Sequence, residues 1–547
     1  MTSAPAHPTD SLGTRGTIRP ARTELTSVDE GGPEAFARVL AALTDPQRHA
    51  VDSPSTAVCV QAGAGSGKTR VLTLRVARRI QDGSAEADHS VVVTFTRKAA
   101  GELRQRLSRF GLRVAMPSTT GGPPGPGVRA GTLHQLALTL LRRHALDAGQ
   151  PPPLVADYRF RLVSEIVGDP AVASALAAEI GWAKARCLTP DSYGTAALAA
   201  ERSPTIAADR VAEHFRSYQD SLARRRALDL DDLVVRAADL VLDDTTFSEG
   251  VRWRYRHLSV DEFQDINPAQ YRLIEALMGD RCDLLAVGDP NQAIYGWNGA
   301  DPGLITRLPT LVADMEVIRL DENHRSTPQV VAAASAALGS AVHGVPQATG
   351  PAGPMPVVTA YDDETAEAEG VASRLLHELE SGRGWSDQAV LARTNDQLSV
   401  ISSALKRAGI PFRIAPPPEA QPGTRPDGSG AEEDAVELAT FHRAKGLEWG
   451  SVCVVGIEDG YVPIVHAAGE AARHEERRLL YVALTRASVQ LHCSWARSRR
   501  TSGGRRVDRE PSPWLAAVAR VSRTGSGRIG PVDAGRRIAE IRAGLGR

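Results

Sequence analysis

The sequence predicts an α/β fold carrying a helical insertion, and three stretches support that prediction. "TAVCVQAGAGSGKTRVLTLRVARRI" passes from a β-rich run through a glycine loop into an apolar pattern with helical spacing. "RHLSVDEFQD" is a second apolar run, ending in two acids. Between them, residues 136–224 carry helical periodicity, as in "FRLVSEIVGDPAVASALAAEIGWAKARCL". At 547 residues the chain is too long for one core, which implies two to four domains.

From the N-terminus, residues 1–35 are polar and read as a disordered arm without the apolar stretch of a secretory signal. No run of eighteen apolar residues occurs, so no membrane span is expected and a cytoplasmic location is. Cys59, Cys187, Cys282, Cys453 and Cys493 are far apart and form no C-x-x-C pair, which favours buried thiols in a reducing compartment. The net charge is −1, so any contact with nucleic acid must come from a local groove. Lysine occurs only at Lys68, Lys98, Lys184, Lys406 and Lys445. Where it persists in so arginine-rich a chain, a compact ammonium is called for.

The segment Ala62, Gly63, Ala64, Gly65, Ser66, Gly67, Lys68, Thr69 is a Walker A loop between strand and helix, with Ala62 where the usual pattern has Gly. Glycines let backbone N–H groups turn inward around phosphates at a helix N-terminus. Lys68 is expected to reach the β- and γ-phosphates of ATP, and the Thr69 hydroxyl to hold Mg²⁺. Asp261 suits the Mg²⁺ shell and Glu262 a base for the attacking water. Such an acidic pair can equally be a solvated turn. In "QAIYGWNGA", Tyr295 and Trp297 are two apart and on extended backbone face one side, as in a stacking platform or in an ordinary core.

Further along, "GGPPGPG" reads as a surface loop. Residues 415–435 form a Pro-, Gly- and acid-rich linker between two strand-like runs, about 25 Å in reach as a flexible coil. From Arg497 onward, 13 Arg stand against four acids, which reads as a solvated basic tail or a nonspecific phosphate contact.

The segments "LTDPQRHAV", the Walker A loop, "TFTRKAAGELRQRL", "GTLHQLA", "LDLDDL", "VDEFQD", "VGDPNQAIYGWNGA", "LDENHRSTPQ", "LARTNDQ", "ATFHRAKGLEW" and "EERRLLYVALTRA" follow in that order between Leu43 and Ala487. Together they resemble the motifs of the UvrD/Rep/PcrA-like superfamily 1A DNA helicases. The resemblance implies two RecA-like P-loop motor domains with parallel sheets: 36–135 and 225–317 for the first, 136–224 for its short helical 1B insertion, and 318–500 for the second. Residues 501–547 remain as the basic tail. It also implies that the linker replaces the helical 2B domain of larger relatives.

By the same resemblance, Gln47 reads the adenine, Arg70 lies near the base, and Gln292 senses the γ-phosphate. Arg325 and Arg486 reach that phosphate from the second domain, and Glu448 contacts the ribose. Phe95, His134, Tyr295, Trp297, Arg393, Asn395, His442 and Lys445 match positions that touch DNA. The sequence departs from the pattern at His324, where the family has a Tyr stacking on adenine, and at Arg97, Pro290, Asn291 and Asn298. The implied activity is a 3′-to-5′ translocase or helicase on single-stranded and tailed duplex DNA, working with repair or replication proteins. Two other readings are an ATP-gated DNA-binding or recruitment protein and the motor subunit of a RecB-like nuclease complex.

Overall fold

The computed structural model describes residues 33–525 apart from 118–124, 157, 203, 281–282, 340–343, 345, 416–433, 468 and 501–503. The expected arm lies outside the described residues up to position 32, and its last residues already belong to helix α1 (Pro33–Ala41). Helix α2 (Asp45–Asp52) opens with a reciprocal cap between Thr44 and Gln47. Then come β1 (Ala57–Ala62), the glycine loop, α3 (Lys68–Gln81), β2 (Ser90–Thr94), α4 (Arg97–Arg109), β3 (Val114–Ala115), β4 (Val128–Thr132) and α5 (Leu133–Asp147).

A short parallel pair, β5 (Leu154–Val155) with β6 (Ala227–Leu228), brackets four helices: α6 (Arg159–Val167), α7 (Pro170–Ala185), α8 (Pro190–Ala199) and α9 (Ala208–Arg224). Their shared core runs from Ala156 to Ala227. The chain then returns through α10 (Leu230–Asp243), α11 (Thr245–Arg254), β7 (His257–Val260), α12 (Pro268–Met278), β8 (Leu284–Gly288), α13 (Leu304–Leu311) and β9 (Glu316–Leu320). The first sheet has the order β3-β4-β2-β7-β8-β1-β9 and is parallel throughout. Every residue of β2, β4 and β8 is buried, which is why β2 and β8 read as nearly continuous apolar runs and not as alternating ones, while β4 also buries Arg129.

The second domain opens with β10 (Glu322–Asn323), α14 (Pro328–Leu338) and β11 (Gln347–Ala348), and α14 packs Val330, Ala333 and Ala337 into its core. It continues with β12 (Val357–Tyr361), α15 (Glu364–Glu380), β13 (Gln388–Ala392), α16 (Asn395–Arg407), β14 (Phe412–Ile414), β15 (Val436–Thr440), β16 (Trp449–Val454), α17 (Glu470–Leu484) and β17 (Ala487–Ala496). The pair β18 (Ser498–Arg500) and β19 (Arg506–Asp508), helix α18 (Leu515–Arg520) and β20 (Arg523–Gly525) end the described chain. Its sheet has the order β14-β15-β13-β16-β17-β12-β20, again all parallel. β14 and β15 are direct neighbours, so the two sides of the Pro/Gly linker lie in one sheet.

Three expected boundaries move. Helix α5, placed in the insertion by sequence, packs Leu133, Leu136, Ala137 and Leu140 into the core beneath the first sheet. An apolar helical stripe looks the same in sequence whether it meets a sheet or other helices. "VIRL", expected to open the second domain, is the edge of the first sheet, with Ile318 opposite Val60. The described part of the supposed tail, to residue 525, is folded: Trp514, Leu515 and Val518 enter the second core, and β20 pairs with β12. Arginine content concealed those few anchors. Cys187 is exposed, whereas Cys59, Cys453 and Cys493 are buried free thiols. The "GGPPGPG" loop falls largely outside the described residues.

Because Leu515 is buried in that core, Leu515→Ala is expected to cost ~2–5 kcal/mol in denaturant unfolding of the second domain. A cost below ~0.5 kcal/mol, the range for a solvated surface, would contradict this placement.

Candidate functional site

The glycine loop leaves the C-terminal end of β1 and turns into α3 with Gly65 at φ 71° and Gly67 at φ 84°, left-handed conformations that favour glycine. From below, Gln47 Nε2 donates to the Ser66 carbonyl at 2.9 Å. The Lys68 ammonium curls over the loop, donating to the carbonyls of Ala62 (3.2 Å) and Gly63 (3.4 Å), with Asp289 Oδ2 at 3.7 Å. A loop that bends its own lysine back onto carbonyls has a cation ready for phosphate oxygens. Thr69 Oγ1 lies 3.5 Å from Asp261 Oδ2, two oxygens of the kind a hard divalent cation takes.

Burial pushes the Asp261 carboxyl up to about 7, and the neighbouring Glu262 adds to this. Burial would also raise Glu262, but Lys445, Lys68 and the Gln264 amide hold it below its usual value. Glu262 is therefore held as a carboxylate, the form a base requires. Its backbone sits at φ 54°, a conformation that costs a non-glycine residue on the order of 1–3 kcal/mol. Gln264 joins the acids to the next segment: its Nε2 donates to Glu262 and its Oε1 accepts the Asp289 N–H at 2.9 Å. Asp289 in turn accepts Gln292 Nε2 at 2.6 Å.

The second domain closes on this loop. The His324 N–H donates to the Gly65 carbonyl (2.9 Å) and Asn323 Nδ2 to the Ala64 carbonyl (2.8 Å). Arg325 Nε pairs with Glu448 Oε2 at 2.5 Å. Arg486 is fully buried and donates to the carbonyls of Val482 and Leu447 and to the Thr485 hydroxyl. Burial and the nearby Arg325 lower it to about 10, so it stays charged at neutral pH, with Glu262 and Glu448 drawing on it. The Lys445 ammonium, also from the second domain, donates to both Asp265 oxygens (2.8 and 2.6 Å) and to the Gln292 carbonyl (2.7 Å).

Beside this cleft lies an aromatic file. Phe95 stacks on Tyr295 with centroids 5.1 Å apart and planes 17° apart. His442, from the second domain, stands 6.4 Å from Tyr295 and edge-on to Trp297 at 6.2 Å. Trp297 is 52% exposed, so its ring is the one offered to solvent. The Trp297 N–H is held at 3.2 Å by Glu475 Oε1 of α17, and Arg478 Nε of the same helix donates to the Ala293 carbonyl at 2.7 Å.

The UvrD/REP helicase N-terminal domain family matches residues 43–312, and the UvrD-like helicase C-terminal domain family matches 318–416 and 424–498. The chain belongs to the UvrD/Rep helicase family. It is 34% identical over 584 aligned residues to ATP-dependent DNA helicase UvrD2 of Mycobacterium tuberculosis (strain ATCC 25618 / H37Rv), covering 88% of this chain and 82% of that one. It is 31% identical over 394 residues to DNA helicase II of Escherichia coli (strain K12), covering 69% of this chain and 52% of that relative. To ATP-dependent DNA helicase Rep of the same organism it is 30% identical over 387 residues, covering 68% and 55%.

Within this UvrD/Rep-family chain, several of the expected site residues have partners inside the protein. Lys445, expected on the DNA groove, is a buried tie between the domains. Arg393, also expected on DNA, spends its fork on Glu476 at 3.1 and 2.6 Å. Gln47 uses Nε2 on the loop and Oε1 on the Thr44 N–H, and Arg70 donates to the Val39 carbonyl at 3.1 Å. His324 places Nδ1 at 2.8 Å from the Thr349 hydroxyl and Nε2 at 3.3 Å from Glu322. Asn395 is exposed at the start of α16, and His134 is half-buried at the start of α5. Gln264, Asp265, Asp289, Asn323, Glu475 and Glu476 were not singled out by sequence. All lie inside quoted motifs, but their partners come from distant segments. Among the described residues, no helix is long and apolar enough to cross a membrane.

Burial, then Arg393 and Lys445, push the His442 ring down to about 3, so it is neutral from pH 8 down to pH 5.5. Single-strand affinity measured across that window should therefore show no gain centred near 6.5. Tightening lost on His442→Gln would contradict a neutral ring.

Proposed function

We propose that the protein is an ATP-dependent DNA helicase that steps 3′ to 5′ along single-stranded DNA and acts on tailed duplexes in repair or replication, in the cytoplasm. The observation that carries this reading is the cleft itself. One domain supplies the phosphate loop and Glu262, the other supplies Arg325 and Arg486, and aromatic rings from both line the adjoining face. Family membership and the UvrD2, DNA helicase II and Rep relatives support the activity.

Thr69 and Asp261 would hold Mg²⁺, which when bound neutralises phosphate charge. Lys68 orients the β- and γ-phosphates of ATP. Glu262 accepts the proton of the attacking water as its oxygen bonds to the γ-phosphorus and the bond to the bridging oxygen breaks, leaving ADP and phosphate. Arg325 and Arg486 meet the charge of the transition state, a role worth on the order of 10³–10⁵ in rate. To do so, Arg325 exchanges Glu448 for phosphate, so hydrolysis depends on which domain arrangement is populated. Gln292, tied to Asp289 on one side and through its carbonyl to Lys445 on the other, relays that arrangement toward Tyr295 and Trp297. There each stacked base is worth ~1–3 kcal/mol.

We also take the segment 415–435 to stand where larger relatives carry a 2B domain, which leaves a compact motor. The test is strand displacement on duplexes with 3′ or 5′ tails, run beside a translocation assay, with Lys68→Ala as the control. Displacement from the 3′ tail alone, lost in Lys68→Ala, is expected. Equal activity on both tails would overturn the polarity, and hydrolysis without directional movement would favour the recruitment reading.

A further inference from the structure

Lys184 is one of only five lysines and belongs to none of the nucleotide or DNA contacts above. Its side chain is 4% exposed, and its ammonium contacts Asp229 Oδ2 at 2.8 Å and Asp232 Oδ1 at 2.7 Å, with the Tyr218 ring 5.3 Å away. The same Asp229 oxygen accepts the Tyr218 hydroxyl at 2.9 Å and Arg159 Nη2 at 3.1 Å, and Arg159 also pairs with Asp231. Asp229 Oδ1 meanwhile caps α10 by accepting the Asp232 N–H at 2.9 Å. One carboxylate thus ties α6, α7 and α9 of the insertion to α10 of the first domain, whose apolar face lies in the core of that domain. Burial would raise Asp229, but Lys184 and Arg159 hold it well below the usual carboxylate range.

The anchored helix ends on the turn that carries Trp297. A Cβ on Gly299, which sits at φ 95°, would lie 2.5 Å from Ala185 Cβ and 3.3 Å from the Trp182 carbonyl oxygen. Ala185 is the residue after Lys184, so the ionic cluster and the close approach are one step apart on α7. On its other side the same turn is held by Glu475 through the Trp297 N–H. The turn is therefore clamped between α7 and α17, and its place relative to the first sheet depends on where Asp229 holds α7.

We propose that the buried Lys184–Asp229 cluster is a positioning element that makes the helical insertion set the height of the Trp297 turn, and so governs affinity for single-stranded DNA. This rests on the reading of Trp297 as a base-stacking residue. Without Lys184, three acids face a single Arg159 in a desolvated site, and α7 shifts to admit water. The ATP site shares no residue with the cluster, so the effect falls on DNA binding and not on phosphate chemistry.

The test uses the full chain with Lys184→Met and Gly299→Ala, and Trp297→Ala beside them. The readouts are ATP turnover without DNA, the KM for ATP, and the DNA concentration giving half-maximal stimulation. Both variants are expected to raise that DNA concentration about tenfold, the order of one lost stacking contact, while basal turnover and the KM for ATP stay at wild-type values. A lower melting temperature with an unchanged DNA requirement would overturn the proposal. Should Lys184→Met not fold, Tyr218→Phe takes its place, because it removes one hydrogen bond to Asp229 without stranding a charge; Gly299→Ala also strains the backbone of the turn itself at φ 95° and does not decide alone. If Trp297→Ala raises the DNA requirement and neither other variant does, the positioning proposal falls and the platform reading stands. If Trp297→Ala also leaves it unchanged, both fall.

Discussion

The Lys445 ammonium, buried between the two domains, is the interaction on which the rest of the cleft depends. It makes three hydrogen bonds at 2.6–2.8 Å, two to Asp265 and one to the Gln292 carbonyl. Taking such a pair out of water is costly and is offset only when geometry and hydrogen bonding are nearly complete, as they are here. Burial pushes the Asp265 carboxyl up to about 7 against the pull of Lys445, so losing the ammonium would leave that acid without its partner. Asp265 is three residues past Glu262, and the Tyr295 ring centroid is 5.1 Å from the same ammonium. One cation of the second domain thus touches the segment that carries Glu262, the segment that carries Gln292, and the aromatic file.

Helix α17 gives this contact its leverage. Arg486, just past its C-terminal end, lies near Arg325, Glu262 and Glu448. Arg478 grips the Ala293 carbonyl, Glu476 holds Arg393, and Glu475 holds the Trp297 N–H. Eleven residues separate Glu475 from Arg486, about 16 Å along a helix. A packed helix does not deform gradually over that length, so a shift at the arginine end reaches the tryptophan end as a displacement of the whole rod.

Much of this was legible in the sequence because it is local. The glycine loop, the Thr69 and Asp261 pair, and the buried strands follow from residue type and spacing, and the order of the motifs named the two-domain architecture. The features that sequence left hidden were those whose setting depends on a distant partner. The carboxylate partners of Lys445 and Arg393, Asp265 and Glu476, lie 180 and 83 residues away, where spacing gives no sign of them. β9 read as the start of the second domain because an apolar run does not declare which sheet it joins. Trp514 and Leu515 were hidden in an arginine-rich stretch whose few apolar residues nonetheless complete a core.

The measurement that bears most directly on this account is DNA-stimulated ATP turnover in Lys445→Met, with binding of a nonhydrolysable ATP analogue recorded on the same preparation. A cross-cleft tie predicts that the stimulation by DNA falls at least about fivefold, the scale of coupling between two linked sites, while analogue affinity is retained. Full stimulation by DNA in a folded Lys445→Met protein would contradict it.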